Sequence, residues 1–186
     1  VSCKKETIET IKETVANNEL TGLSPVTTFS QNSLIVELFT PTGTFKTGYN
    51  DVYYRVKDSV ENKYILTASL VANPEMNMMS MSHGCPTGEI QKIVDRPNMY
   101  RGSIIFTMPT NNMEGWTLAV NVTQGNTTRV VSGAITVNQA PKRNLNVFEG
   151  SDGTRYILAM EKPVAPIVGL NDITAQLYKR IDGYTY

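Results

Sequence analysis

From Ser33 onward, hydrophobic residues tend to recur at every second position, which is the period of a β-strand with one buried face. The clearest run extends from Trp116 to Val122, where large apolar residues alternate strictly with smaller or polar ones. Clusters of Gly, Pro, Asn and Asp separate this run from others rich in Val, Ile, Leu, Tyr and Phe. The pattern predicts strands at 33–40, 51–56, 63–72, 103–108, 116–122 and 128–137.

Strands of this number and spacing predict an all-β, immunoglobulin-like β-sandwich, which we assign to residues 25–137. Residues 1–24 precede it as a polar tether. Ile8, Ile11 and Val15 give part of this tether a thin apolar stripe at helical spacing. Because short isolated helices are marginally stable, residues 5–18 form either a short helix or a flexible linker.

An internal repeat indicates the start of a second sandwich. Gly48-Tyr-Asn-Asp-Val52 recurs as Gly169-Leu-Asn-Asp-Ile173, an offset of 121 residues, and the apolar runs at 35–39 and 156–160 share this offset. Residues 138–144 are then a linker, and 145–186 a partial second repeat. Three strands alone would expose an open edge and half a core, so we expect the polypeptide to continue beyond Tyr186 or another chain to cover that face.

Composition narrows the class of protein. Hydrophobic residues make up 40% of the 186 residues and charged residues 18%, which suits a folded globular protein. The formal net charge is zero, so no basic field favours nucleic acid, and nucleic-acid-binding motifs are absent from the sequence. No apolar run approaches the roughly 20 residues of a membrane span.

The first residues, Val-Ser-Cys3-Lys-Lys, resemble the end of a bacterial lipoprotein signal, in which the cysteine becomes the lipidated first residue. This predicts a protein bound to membrane lipid through Cys3 and facing an extracytoplasmic compartment, with the outer membrane or cell surface favoured. Two alternatives remain open: an ordinary thiol near the N-terminus, and a Cys3–Cys85 disulfide. An acylated Cys3 would leave Cys85 unpaired in an oxidising compartment.

Soft metal ligands are concentrated in one ten-residue stretch, which contains Met76, Met78, Met79, Met81, His83 and Cys85. Thioether, thiolate and imidazole donors favour Cu(I), so the stretch predicts a copper site. Asn73-Pro74 before it and Pro86 after it favour an exposed loop. If that loop is extended, its alternate residues from Met79 to Cys85 share one side.

The methionines allow two other interpretations. Methionine fills gaps in cores, but the neighbours Asn77, Ser80 and Ser82 do not suit a core. Methionine also forms adhesive contacts with partner proteins, and this alternative remains open. Met108 and Met113 would complete the site if they face the loop. Sequence motifs for a catalytic triad, a zinc site or a phosphate-binding loop are absent, so we do not expect an enzyme.

Three motifs resemble the FixH/YtkA-like family of bacterial extracytoplasmic proteins over roughly residues 25–137. They are the Met-rich stretch at 76–85, Tyr100-x-Gly-x-Ile-x-Phe106, and Gly115-Trp-x-Leu-x-Val120. The resemblance implies a small sandwich domain and, in part of the family, a link to copper handling or oxidase assembly. This chain differs in its denser methionine run, its added Cys85 and its second repeat.

Together these features predict a lipid-anchored extracytoplasmic protein that captures or delivers copper, and the soft donors favour Cu(I). The alternative is a structural or accessory lipoprotein subunit of a membrane-associated complex, in which the Met-rich loop contacts a partner.

Overall fold

The structure is a computed structural model that describes residues 19–181. The predicted helix or linker at 5–18, and Cys3, lie outside the described residues. Every regular element in the described range is a β-strand, which confirms the predicted all-β class. The strands are β1 (Ser24–Gln31), β2 (Leu34–Thr40), β3 (Phe45–Lys46), β4 (Gly48–Asp58), β5 (Lys63–Tyr64), β6 (Ser69–Asn77), β7 (Ser82–Gly84), β8 (Gln91–Lys92), β9 (Met99–Phe106), β10 (Gly115–Gln124), β11 (Thr127–Ile135), β12 (Val137–Asn138), β13 (Leu145–Glu149), β14 (Arg155–Lys162) and β15 (Thr174–Lys179).

Two large antiparallel sheets contain most of these strands. The first has the order β1-β2-β4-β9-β8, with β5 also paired to β4, and the second has the order β11-β10-β6-β7. A short parallel pair joins β3 to β12. Side chains from both large sheets form one core, an arrangement consistent with a β-sandwich.

The core follows the alternation of the sequence. On β10, every second residue from Trp116 to Val122 is at most 1% exposed. Ring contacts cross this core from Phe45 to Phe106, with centroids 5.3 Å apart, and from Phe106 to Trp116, at 5.0 Å. Trp116 is therefore a core side chain, as its place in the alternating strand predicts.

The predicted strand at 63–72 is two strands. β5 pairs with β4 in the first sheet, whereas β6 pairs with β10 in the second, so the chain crosses between sheets at residues 65–68. Hydrophobic periodicity does not reveal this crossing, because Ile65 at its start and Leu70 after it enter the same core. β1 escaped prediction because Phe29 alone among its residues is buried.

The third sheet, β13-β14-β15, repeats the strand order of β1-β2-β4 at the offset of 121 residues. The turn before its last strand repeats in detail. Asn50 accepts a hydrogen bond from the backbone amide of Lys46, and its Nδ2 donates to the carbonyl oxygens of residues 46 and 48. Asn171 makes the same three bonds with residues 167 and 169. The division into domains at 25–137, 138–144 and 145–186 stays a prediction.

One face of the third sheet packs on the outer face of the first. Ile157 and Ala159 of β14 are fully buried there with Ile105 of β9, and Tyr49 of β4 packs against them. The two units are thus joined by a small apolar cluster as well as by residues 138–144.

The repeated asparagine provides a matched test of burial. We expect Asn50→Ala to cost about 2–3 kcal/mol of unfolding free energy, because Asn50 is buried and its loss leaves enclosed backbone groups unpaired. Asn171→Ala removes the same bonds from an exposed loop, where water replaces them, and should cost about 1 kcal/mol or less. Urea unfolding of both variants measures the difference, and equal costs would contradict the explanation.

Candidate metal site

The Met-rich stretch forms a β-hairpin at one end of the second sheet, where an exposed loop was predicted. β6 runs to Asn77, and β7 returns from Ser82, with Met76 opposite His83. The backbone amide of Met78 donates to the carbonyl oxygen of Met81, 2.9 Å away, which closes the turn. Asn73 and Pro74, expected to open a loop, lie inside β6. A proline fits there because β7 pairs with β6 only from residue 75 to residue 77.

The hairpin places four soft donors on one face. Met76 faces the core and is fully buried, and His83 lies directly opposite it. Met78 and Met81 form the next pair toward the turn, and side chains two residues apart share a face. Met78 packs against the core, whereas Met81 is 57% exposed. The face therefore runs from the core to solvent.

The residue at the tip of the turn and the polar residues between the donors do not join this face. Met79 sits at the tip of the turn and is 79% exposed. Asn77 and Ser82 occupy the opposite side of the hairpin, where the Asn77 Nδ2 donates to the Thr117 hydroxyl at 3.2 Å. The expectation that alternate residues from Met79 to Cys85 form one row fails at Met79. Met81 and His83 share the face, and Cys85 follows them into the core that also contains Met76.

The hydrogen bond of His83 fixes its tautomer. Its Nδ1 lies 2.8 Å from the carbonyl oxygen of Gly84, and a carbonyl only accepts, so Nδ1 carries the proton. In the neutral ring this leaves the Nε2 lone pair available for a metal, and no hydrogen bond to Nε2 is seen within residues 19–181. The ring also makes an edge contact with Trp116, at 5.7 Å between centroids.

Cys85 lies just beyond β7 and belongs to the core. It is a free thiol, 8% exposed, and burial raises its pKa well above the ordinary value. The next residue, Pro86, accepts a hydrogen bond from the amide of Ile105, so the chain crosses to the first sheet at this point. Little of Cys85 is therefore open to solvent.

Tyr54, on β4, places an unusual polar group in this core. In the described part of the chain, its hydroxyl is the one buried side-chain oxygen or nitrogen without a hydrogen-bond partner. Burial raises the pKa of Tyr54, and the proximity of Cys85 raises it further. A buried group of this kind is uncommon, and no sequence motif indicates it.

Two further methionines lie at the same end of the second sheet. The Met108 carbonyl accepts the indole N–H of Trp116 at 2.9 Å, so its backbone supports the ring. Met113 is 69% exposed in a turn that the Asn111 side chain closes by accepting the amides of residues 113 and 114. Gly115 pairs with Asn77, which places this turn at the hairpin end of the sheet.

Between residues 19 and 181, no three side chains of the His, Cys, Asp and Glu types come together. A metal site built from these residues would therefore need methionine ligands. No helix in the same range is long and apolar enough to cross a membrane.

No protein-family model, curated protein or solved structure matches this chain. The resemblance to the FixH/YtkA-like family therefore stays a prediction drawn from the motifs.

The burial of Cys85 has a direct chemical consequence. In a Cys3→Ser variant, where Cys85 is the only thiol, an aromatic disulfide reagent at pH 8 should react about 100-fold more slowly with the folded protein than with protein unfolded in urea. Burial both blocks the reagent and holds the thiol protonated. Absorbance of the released thiolate gives both rates, and equal rates would show that Cys85 is accessible.

Proposed function

We propose that this protein is a lipid-anchored, extracytoplasmic binding protein that captures or delivers copper as Cu(I). Its activity would be binding and transfer of the ion, without catalysis. The observation that carries the proposal is the hairpin face, where Met76 lies opposite His83 and Met78 lies next to Met81. Cu(I) is satisfied by few sulfur and nitrogen donors and tolerates irregular geometry.

The donors would act at different depths. His83 offers Nε2, and Met78 and Met81 offer thioethers at the boundary between core and solvent. Met79, at the exposed tip, would make the first contact with an incoming ion. Met76 and Cys85 lie on the core side, so they would join the ligand set only after side chains move.

We also propose that the sandwich is of the immunoglobulin-like type. The order β2-β4-β9-β8 corresponds to strands A, B, E and D of that fold, and β11-β10-β6-β7 to G, F, C and C′. β12 directly follows β11, the last strand of the second large sheet, and the short strand β3 pairs with β12 in parallel. This topology supports membership of the FixH/YtkA-like family, for which the motifs imply such a domain.

The second candidate function is that of a structural or accessory subunit whose methionines contact a protein of a membrane-associated complex. The exposure of Met79, Met81 and Met113 at one end of the molecule favours it, because flexible thioether side chains adapt to apolar partner surfaces. Copper binding by the isolated protein separates this candidate from the first.

Competition against a Cu(I) chelator, under anaerobic conditions, tests the copper proposal. We expect His83→Ala to weaken Cu(I) binding about 100-fold, because it removes the nitrogen donor of the face. Met78→Leu and Met81→Leu should each weaken it about 10-fold or less, since neighbouring thioethers substitute. Met160→Leu, a change in the third sheet, is the matched control and should leave affinity unchanged.

Two outcomes of this competition would count against the proposal. Wild-type protein that takes no Cu(I) would leave the partner-contact candidate. Binding that survives in His83→Ala and is lost in Cys85→Ser would place the site in the core and away from the hairpin face.

Anchoring is tested separately. If Cys3 is lipidated, intact-mass analysis of protein purified from membranes of its source should show acyl mass on the N-terminal peptide. A Cys3→Ser variant expressed in the same cells should lose both the acyl mass and the membrane association. An unmodified or disulfide-bonded Cys3 in the wild-type peptide would rule out the anchor.

A further inference from the structure

The methionines of this chain differ sharply in their exposure to solvent. Met79, Met81 and Met113 are 79%, 57% and 69% exposed, whereas the other five of the eight are buried or partly buried. Met76 and Met99 are fully enclosed. All three exposed methionines lie at the hairpin end of the second sheet. An oxidant that arrives from solvent therefore meets the thioethers of the candidate site before those of the core.

Exposure also follows the order of the donors along the hairpin. Met79 lies at the tip of the turn, and Met81 begins the face that continues through Met78 to Met76. Met78 packs against the core, and Met76 is completely buried in it. The two outer thioethers are therefore open to reaction while the two inner ones are shielded.

The oxidation of a thioether changes its properties as a metal ligand. Hydrogen peroxide converts the methionine thioether into a sulfoxide. The sulfur attacks one peroxide oxygen, so an S–O bond forms while the O–O bond breaks. Sulfur is oxidised by two electrons, the peroxide is reduced, and a proton passes to the departing oxygen, which leaves as water. The product presents a polar oxygen, a hard donor, in place of the soft sulfur that Cu(I) prefers.

Cys85, the other oxidisable sulfur near the hairpin, is protected by its packing. Its thiol is 8% exposed, and burial raises its pKa well above the ordinary value, so it stays protonated. The thiolate is the form of cysteine that reacts with peroxides. The exposed thioethers are therefore the first sulfur atoms of the hairpin region to react.

Oxidation at the tip of the hairpin should leave the fold intact. The Met79 and Met81 side chains are mostly exposed, so their sulfoxides gain hydration without burying a polar group. The core beneath them keeps Met76 and Cys85 enclosed. The sulfoxides also stay accessible to reductases that restore the thioether, so the change is reversible.

We propose that Met79 and Met81 form a redox switch on the candidate copper site, in which peroxide oxidation of both thioethers weakens Cu(I) binding and reduction restores it. This inference rests on the proposed function and adds its regulation. Loss of one outer thioether leaves the other to substitute, whereas oxidation of both leaves His83 and Met78 as the accessible donors. The site thus holds Cu(I) under reducing conditions and releases it when the peroxide concentration rises.

Limited treatment of the metal-free protein with hydrogen peroxide, stopped with catalase, tests the order of oxidation. Peptide mass spectrometry should show Met79, Met81 and Met113 oxidised about 10-fold faster than Met76 and Met99, because the last two are enclosed. The same treatment of protein unfolded in urea should remove the difference. Equal rates for all five residues in the folded protein would overturn the inference.

Competition against a Cu(I) chelator, under anaerobic conditions and after the peroxide is removed, tests the switch itself. Oxidised wild type should bind Cu(I) about 10-fold more weakly than reduced wild type. Methionine sulfoxide reductases for both sulfoxide epimers should restore the affinity. In the Met79→Leu/Met81→Leu double variant, peroxide should cause no further loss. Met113→Leu is the matched control: it removes a similarly exposed thioether outside the hairpin, so peroxide should still cause the full loss.

The outcomes separate this inference from the copper proposal. Reduced protein that takes no Cu(I) would contradict the copper proposal and the switch together. Reduced protein that binds Cu(I), with equal binding after both residues are oxidised, would overturn the switch alone. A loss that persists in the double variant would place the sensitive group elsewhere and overturn the switch as well. Fluorescence of Trp116, buried in the core, confirms that each oxidised form stays folded.

Discussion

The packing of the Trp116 ring joins the fold to the candidate site. The indole contacts Phe106 from the first large sheet on one side and His83 from the hairpin on another, and its N–H is held by the Met108 carbonyl. Because the ring is fixed at these points, the position of His83 depends on the same core that holds the sheets together. A change that loosens the core at Trp116 would therefore also displace the histidine.

The repeat shows that one strand pattern supports two different kinds of packing. In the first copy, β2 and β4 bury their apolar side chains against a second sheet. In the second, the shifted pairing of β14 and β15 divides the apolar side chains between two faces. The asparagine turn keeps the same hydrogen bonds in both copies, so local turn chemistry is preserved while strand register changes. The register of a strand pair depends on which face of each strand is buried, and the buried faces differ between the two repeats.

The all-β class and the central strands could be predicted because alternation is a local property of the sequence. Trp116 and its neighbours on β10 needed only a period of two to be placed in the core. The repeat was equally visible, since the Gly-x-Asn-Asp motif and an apolar strand recur together. The crossing at residues 65–68 was not predictable in this way, because the side chains before and after it enter one core.

The shape of the chain around the candidate site was not predictable from the sequence. Ligand softness identified the stretch from Met76 to Cys85, yet spacing alone did not show that the chain reverses at Met79 and Ser80. That reversal pairs Met76 with His83 and leaves Cys85 in the core. Cys85 is buried where the chain crosses between sheets at Pro86, in a core that also contains Tyr54, and neither feature is a local signal.

The central claim is that the hairpin face itself binds Cu(I). The most direct measurement is NMR of protein labelled at the methionine methyl groups and histidine nitrogens, titrated anaerobically with Cu(I). If the face binds Cu(I), we expect shifts at the Met78 and Met81 methyl groups and at His83 Nε2, with the Met160 methyl unchanged. A titration that leaves His83 Nε2 and these methyl groups unshifted, or that shifts Met160 equally, would contradict it.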